Sequence, residues 1–191
     1  MKARTDTEAP SFYKTMPSPV GTLKLVASGK GLVAILWEND RPERVRLGPL
    51  EEDRDHPVLL ETELQLEGYF GGTLRKFTLG LDFRGTGFQK KVWEALTTIP
   101  FGETRSYGEI ARQIGSPRAV RAVGAANGKN PVSIVVPCHR VVGSDGKLTG
   151  FAGGLEAKAY LLGIESRNSV QGEFGAILPV PPACRPGRLG G

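Results

Sequence analysis

At Gly85-Thr86-Gly87 the chain changes its period, and that change limits the folds open to it. Ahead of it, "FYKTM", "TLKLVAS" and "GLVAILWE" are short, apolar and rich in β-branched residues, as strands are. Gly29-Lys30 separates the second from the third, a gap suited to a tight hairpin turn. Residues 39–56 are polar, contain Pro42 and Pro49, and read as loop. Residues 57–70 place Val58, Leu60, Leu64, Leu66 and Phe70 at roughly helical spacing and end at Gly71-Gly72. "KFTLGLDF" alternates and predicts one more strand.

Behind the change, helix signals take over. Thr86 and Gln89 are spaced as a capping box, followed by Phe88, Val92, Leu96 and Ile99 on one face, with Pro100 and Gly102 as the stop. Ser106 and Glu109 repeat the capping pattern at "SYGEIARQIG". Ser116-Pro117 predicts an N-cap with proline at the first helical position, opening "RAVRAVGAAN". A last helix is expected over Leu155 to Glu165, and the Gly- and Pro-rich remainder reads as a poorly ordered tail. The expected architecture is α+β. It has a small N-terminal α/β domain over residues 1–85, a mainly helical domain over 86–166 and a tail over 167–191.

The helices expected at about 107–114 and 117–126 are joined by a few residues around Gly115, the helix-turn-helix pattern. The second carries Ala119, Ala122, Ala125 and Ala126 with Arg118 and Arg121, and no long amide side chain to read base edges. Two readings follow. Either the alanines pack on neighbouring helices and the arginines are solvated, or this slim basic face approaches a nucleic-acid backbone or minor groove without reading sequence. In the second case an arginine could enter a gap left in the base stack. Charge permits that partner. The chain carries net charge +5, and the arginines and lysines cluster between 105 and 147 while residues 51–67 are acidic.

"VVPCHRVVGS" holds one of two cysteines and one of two histidines in the chain. A buried cysteine is ordinarily inert. Here Pro137 favours a bend, and His139 and Arg140 are foreign to a plain core strand. A thiol attacks only as thiolate, so Cys138 as nucleophile needs a base, and His139 is the candidate, directly or through a water. The histidine needs an orienting acceptor. Glu165 stands out because a carboxylate at the end of its expected helix opposes the helix dipole; a solvated, frayed end is the other account of it. Positions 56, 138, 139 and 184 form no zinc spacing, and "GFAGG" lacks the lysine and hydroxyl of a phosphate loop. No apolar run approaches a membrane span, and the N-terminus has no secretory pattern, which predicts a reducing compartment and free thiols.

"FGETRSYGEIA", "SPRAVRAVGAANGKNP" and "IVVPCHRVVGSDGKLTGFAGG", followed by "LEAKAYLL", closely resemble the O6-alkylguanine-DNA alkyltransferases, over about Gly87 to Glu165. The N-terminal part resembles that family's ribonuclease-H-like domain more loosely. The resemblance implies single-use transfer of an alkyl group from guanine O6, and from O4-alkylthymine, to Cys138, with the base flipped out of duplex DNA. His139 would be the base, acting through a water, with Glu165 orienting it. Asn130 would brace the active-site turn, and Tyr107 would press on the rotating phosphate and supply a proton. Arg121 would fill the gap in the stack. Arg118, Ala119 and Ala122 would line the minor groove, and Val141, Phe151 and Gly153 would hold the extruded base.

The resemblance further implies no cofactor, no metal and no membrane. It implies a monomer that binds DNA independently of sequence, in the cytoplasm, or the nucleus of a eukaryote. Some relatives carry Tyr and Ser where this chain has Phe151 and Ala152, which bears on lesion preference. The tail and Cys184 have no family counterpart. With only His56 in the N-terminal region, the zinc of some vertebrate members is not expected. Three other functions fit part of the pattern: a lesion sensor that binds without transfer, a sequence-reading regulator, and a thiol hydrolase.

Overall fold

The protein is described here by a computed structural model covering residues 10–173. Cys184 and the Gly- and Pro-rich end of the chain lie outside the described residues. Three strands, β1 (Ser11–Met16), β2 (Leu23–Ser28) and β3 (Gly31–Trp37), form an antiparallel meander. β2 and β3 are buried along nearly their whole length because both sheet faces are covered. Leu23, Leu25, Ile35 and Trp37 enter the main core, while Val26, Val33 and Ala34 pack with Leu36, Val45, Leu47 and Leu50 on the other face. The turn at Gly29-Lys30 lies where expected, with Ser28 opposite Gly31.

Two details of the N-terminal part differ from the sequence reading. The polar segment after β3 contains a short strand, β4 (Leu50–Glu52), which pairs in parallel with β1 and completes a sheet of order β3-β2-β1-β4. "KFTLGLDF" forms no regular strand. It meets β3 only at Leu81, through Leu32 N–H to Gly80 O at 2.8 Å and Asp82 N–H to Leu32 O at 2.9 Å. The helix α1 (Pro57–Phe70) explains why. Its Gln65 side chain accepts from Thr78 N–H at 2.9 Å and donates to Thr78 Oγ1 at 2.9 Å, taking a backbone group a ladder would have used. The alternation itself is real: Phe77, Leu79, Leu81 and Phe83 all pack on the core.

Helices α2 (Gly87–Thr97) and α3 (Tyr107–Gln113) each start at a complete capping box, Thr86 with Gln89 and Ser106 with Glu109. Each box is worth about 1 kcal/mol. α4 (Val120–Gly128) begins later than expected. Ser116 N–H closes α3 on Ala111 O at 2.8 Å, with Gly115 at φ +71° in the left-handed turn. Ala119 N–H then bonds Ser116 O, so Pro117 and Arg118 form a turn and Ala119 caps the helix. The helix α5 (Gly154–Glu173) runs past Glu165, so the position expected to separate domain from tail falls inside a helix.

One core joins the two parts. Leu59, Leu66 and Tyr69 of α1 pack in the same cluster as Trp93, Leu96, Ile110, Val123, Val132, Cys138 and Leu161. Trp93 Nε1 ties α2 to α4 by donating to Ala126 O at 2.9 Å. The free edge of β3 receives the loop after α4: Ile35 N–H donates to Pro131 O at 2.9 Å, and Ile35 pairs with Val132. The N-terminal sheet thereby anchors the segment that leads to Cys138.

Candidate active site

The segment from Asn130 to Val142 folds back on itself. Asn130 spans the turn, its Nδ2 donating to Val136 O at 2.8 Å and its Oδ1 accepting from Val132 N–H at 3.0 Å. Inside the turn Ile134 sits at φ +74°, a left-handed conformation that costs a β-branched residue about 1–3 kcal/mol. Pro137 follows at φ −80°, ψ 62°, the inverse γ-turn, and Cys138 N–H donates to Val136 O at 2.7 Å. This bend starts a single 3-10 turn, Cys138–Arg140, which ends in the short strand β6 (Val141–Val142), parallel to β5 (Arg105–Ser106).

Cys138, His139 and Arg140 are all buried. Glu165, on the inner face of α5, collects them. Its Oε1 lies 2.8 Å from His139 Nε2 and accepts from Tyr69 Oη at 2.8 Å and Arg140 Nη2 at 2.9 Å. Its Oε2 accepts from Arg140 Nε at 2.9 Å and Gly102 N–H at 3.1 Å. Arg140 also donates to Ile99 O at 2.5 Å and stands over the Phe101 ring. Burial pushes the Glu165 carboxyl up, but hydrogen bonds and charge from His139 and Arg140 outweigh that and hold it at about 2. Burial lowers His139 despite Glu165, so the imidazole is neutral. Nε2–H then faces the carboxylate, and Nδ1, buried and without a protein partner, is left with its lone pair.

Burial likewise raises the Cys138 thiol; Asn130, Arg44, Ser133 and Lys158 act against it. At rest the sulfur is a thiol, and no hydrogen bond joins it to His139 among the described residues. Arg44 comes from the N-terminal part. Its guanidinium pairs with Asp40, donates to Asn130 O and bonds Ile35 O at 3.2 Å. Tyr107, at the start of α3, bonds Thr149 Oγ1 at 2.8 Å through its hydroxyl. Val141 O accepts from Lys158 Nζ at 2.6 Å. Phe151 stands edge-on to Trp37 at 5.3 Å and to His139 at 6.4 Å between centroids. Gly153 lies on Trp37 so closely that a Cβ would fall 2.6 Å from the ring.

Arg118, Arg121 and Ala122 are exposed, and Ala119 partly so, along one open face. The structure therefore gathers Cys138, Asn130, His139 and Glu165 into one turn and its floor, and sets Tyr107, Val141 and Phe151 around it. Arg118, Ala119, Arg121 and Ala122 stand apart on the surface of the helix pair. Glu165 entered the sequence reading for a reason the structure overturns: it lies within α5, not at its end. Tyr69 and Arg44 carry no motif, Ser133 and Lys158 lie within family-like blocks but without a sign of their role, and the part of all four in the site comes from tertiary approach. Among the described residues, no three His, Cys, Asp or Glu side chains gather where a metal ion could sit.

A four-stranded sheet, a helix pair with exposed arginines and a buried thiol next to a histidine–carboxylate pair define a DNA-directed protein built around one buried cysteine. Residues 11–83 match the ribonuclease-like domain, and residues 87–167 the DNA binding domain, of 6-O-methylguanine DNA methyltransferase. The chain belongs to that family. It is 52% identical over 157 residues to the methylated-DNA–protein-cysteine methyltransferase of Mycolicibacterium paratuberculosis, covering 82% of this chain and 93% of that protein. The protein of that name from Methanosarcina barkeri is 48% identical, with 82% and 98% covered. Among solved structures, Mycobacterium tuberculosis OGT in complex with DNA superposes with a TM-score of 0.76 at 47% identity, over 82% of this chain and 94% of that one. The O6-methylguanine-DNA methyltransferase of Pyrococcus kodakaraensis superposes with a TM-score of 0.59 at 28% identity, over 81% and 98%.

Proposed function

We propose that this protein repairs DNA directly, moving the alkyl group of an O6-alkylguanine onto Cys138 in one irreversible step. O4-alkylthymine presents the same ether-like oxygen and is the second expected substrate. The observation that carries the reading is a buried Cys138 followed directly by a buried His139 whose Nε2 lies 2.8 Å from Glu165 Oε1. The Nε2–H tautomer leaves Nδ1 to take the Cys138 proton through a water. The sulfur electron pair then forms the S–C bond, the C–O6 bond breaks, and the Tyr107 hydroxyl supplies the proton that makes the guanine a leaving group. His139 keeps the proton that the thiol gave up, and Glu165, itself fixed by Arg140, holds the resulting imidazolium in place. The product thioether has no ready reverse reaction, so each molecule acts once, with no cofactor.

The DNA-side roles are those the family resemblance implies, and the exposure of the helix pair supports them. Arg118, Ala119, Arg121 and Ala122 form a narrow basic face, suited to sequence-independent contact through the minor groove. Arg121 fills the stack that the flipped nucleotide leaves. Tyr107 meets the rotating phosphate, and the Val141 backbone, Phe151 and the Gly153 loop hold the extruded base. The protein works as a monomer on duplex DNA, in the cytoplasm or a eukaryotic nucleus. No helix among the described residues is long and apolar enough to cross a membrane. The division of labour falls near residues 85 and 86, with the sheet bracing the catalytic turn. A duplex carrying one O6-methylguanine, mixed with excess lesion over protein and assayed for unmodified guanine, tests the function. Repair should stop at one guanine restored per protein; continued turnover, or none, would contradict it.

A further inference from the structure

Lys158 is fully buried on the inner face of α5. Its Nζ donates to Val141 O at 2.6 Å and to Thr149 O at 3.0 Å. No carboxylate pairs with it among the described residues, although a buried ammonium is costly without a counter-charge. The other cations of the site are already matched. Arg44 pairs with Asp40, and Arg140 takes both oxygens of Glu165. Val141, to which Lys158 is bonded, closes the single turn that begins at Cys138, its N–H on Cys138 O, so the ammonium is held against the turn that carries the sulfur, and a charged sulfur there favours the charged lysine.

We propose that Lys158 is a positioning residue of the transfer reaction, its ammonium serving as counter-ion to the Cys138 thiolate while it ties Val141 O to Thr149 O. The inference rests on Cys138 being the acceptor. In the resting thiol state the two carbonyls hold the ammonium. When the Cys138 proton passes to His139, the sulfur gains a cation that no carboxylate has neutralised. Asn130 and Ser133 support the same state. The Ser133 hydroxyl is buried and directed to the Cys138 sulfur, where a donor favours the thiolate. The lysine itself neither gains nor loses a proton. Its second bond matters to geometry, because Thr149 Oγ1 also holds the Tyr107 hydroxyl. One side chain thus links the strand after Cys138 to the residue at the start of α3.

The test reads the sulfur without DNA. Carboxamidomethylation of Cys138 by iodoacetamide is followed by peptide mass spectrometry from pH 6 to 10 in wild type, Lys158→Met and Lys158→Arg. The methionine variant should react about tenfold more slowly at neutral pH, matching a thiol inflection about one unit higher, and should recover at high pH. The arginine variant should keep the wild-type inflection. A Lys158→Met inflection that coincides with wild type overturns the proposal, even if methyl transfer slows, since a purely structural role would leave the inflection in place. Should the variants not fold, wild type alone decides. Coupling is reciprocal, so methylating Cys138 should move the Lys158 titration, read by lysine 13Cε chemical shift, to lower pH. An unmoved titration overturns the counter-ion. Failure of the transfer reading is distinct: wild type would then take no methyl from a lesion duplex, whatever its iodoacetamide profile.

Discussion

His139 Nε2 and Glu165 Oε1 stand 2.8 Å apart with neither side chain reaching solvent. The pair fixes which nitrogen of the imidazole can act. Glu165→Gln keeps the shape but removes the charge that holds the Nε2–H tautomer and pairs Arg140. Methyl transfer under single-turnover conditions should fall by about a hundredfold, within the range for a lost general base. Stability should fall by about 3–5 kcal/mol, because Arg140 is left buried and unpaired. Quenched-flow rates and urea denaturation read the two effects separately.

Acid should destabilise the protein in two steps. The His139 imidazole is lowered from its ordinary 6.5, so folding favours its neutral form; that contribution is complete above about 6.5 and is lost as pH falls. Glu165 is lowered from 4.5 to about 2, so its contribution is complete above 4.5 and is lost toward 2. Denaturation midpoints measured from pH 8 to 3 should decline first below 6.5 and more steeply below 4.5. His139→Gln should remove the first step and keep the second.

Arg44 braces the catalytic turn from the other part of the chain through Asn130 O and Ile35 O. Arg44→Met leaves Asp40 buried without its cation and should cost about 3 kcal/mol. Transfer should slow as well, since the Asn130 turn loses an anchor and the sulfur loses one neighbouring cation. Thermal denaturation with single-turnover rates checks this. Restored rates in Arg44→Lys at unchanged stability loss would separate charge from bracing.

Gly153→Ala should disturb the loop that carries Phe151. The new methyl would overlap the Trp37 ring at 2.6–2.7 Å, and overpacking of this kind costs about 1–3 kcal/mol. Weaker binding of a lesion duplex, with binding of undamaged duplex unchanged, is the expected result by fluorescence anisotropy.

Arg121→Ala should leave the fold intact, because the side chain is exposed on α4. Lesion binding and repair at limiting protein should lose about 1–3 kcal/mol, the scale of a base-stacking contact. Repair rates equal to wild type would remove Arg121 from the flipping step.

Where local chemistry decides, the sequence is legible. The capping boxes at Thr86 and Ser106, the Gly29-Lys30 turn and the bend at Pro137 use groups a few residues apart, and all lie where the residues place them. Where a distant partner decides, it is not. β4 exists because β1 offers Leu50 an edge, "KFTLGLDF" gives up its ladder to Gln65, and Ser116 spends its N–H closing α3 before it can cap α4. Cys138, His139 and Asn130 share one short segment and could be read together. Glu165 stands out locally only by a misplaced helix end and otherwise by the family resemblance, Lys158 lies in the "LEAKAYLL" block with no mark of its role, and Tyr69 and Arg44 carry no local mark at all.

The central claim is that the Cys138 sulfur accepts the alkyl group. Intact-protein and peptide mass spectrometry after mixing with a duplex carrying one O6-methylguanine tests it most directly. One added methyl on the peptide containing Cys138, saturating at one per protein and absent in Cys138→Ser, is the predicted result. An unchanged mass with tight lesion binding retained would make the protein a lesion sensor and contradict the transfer.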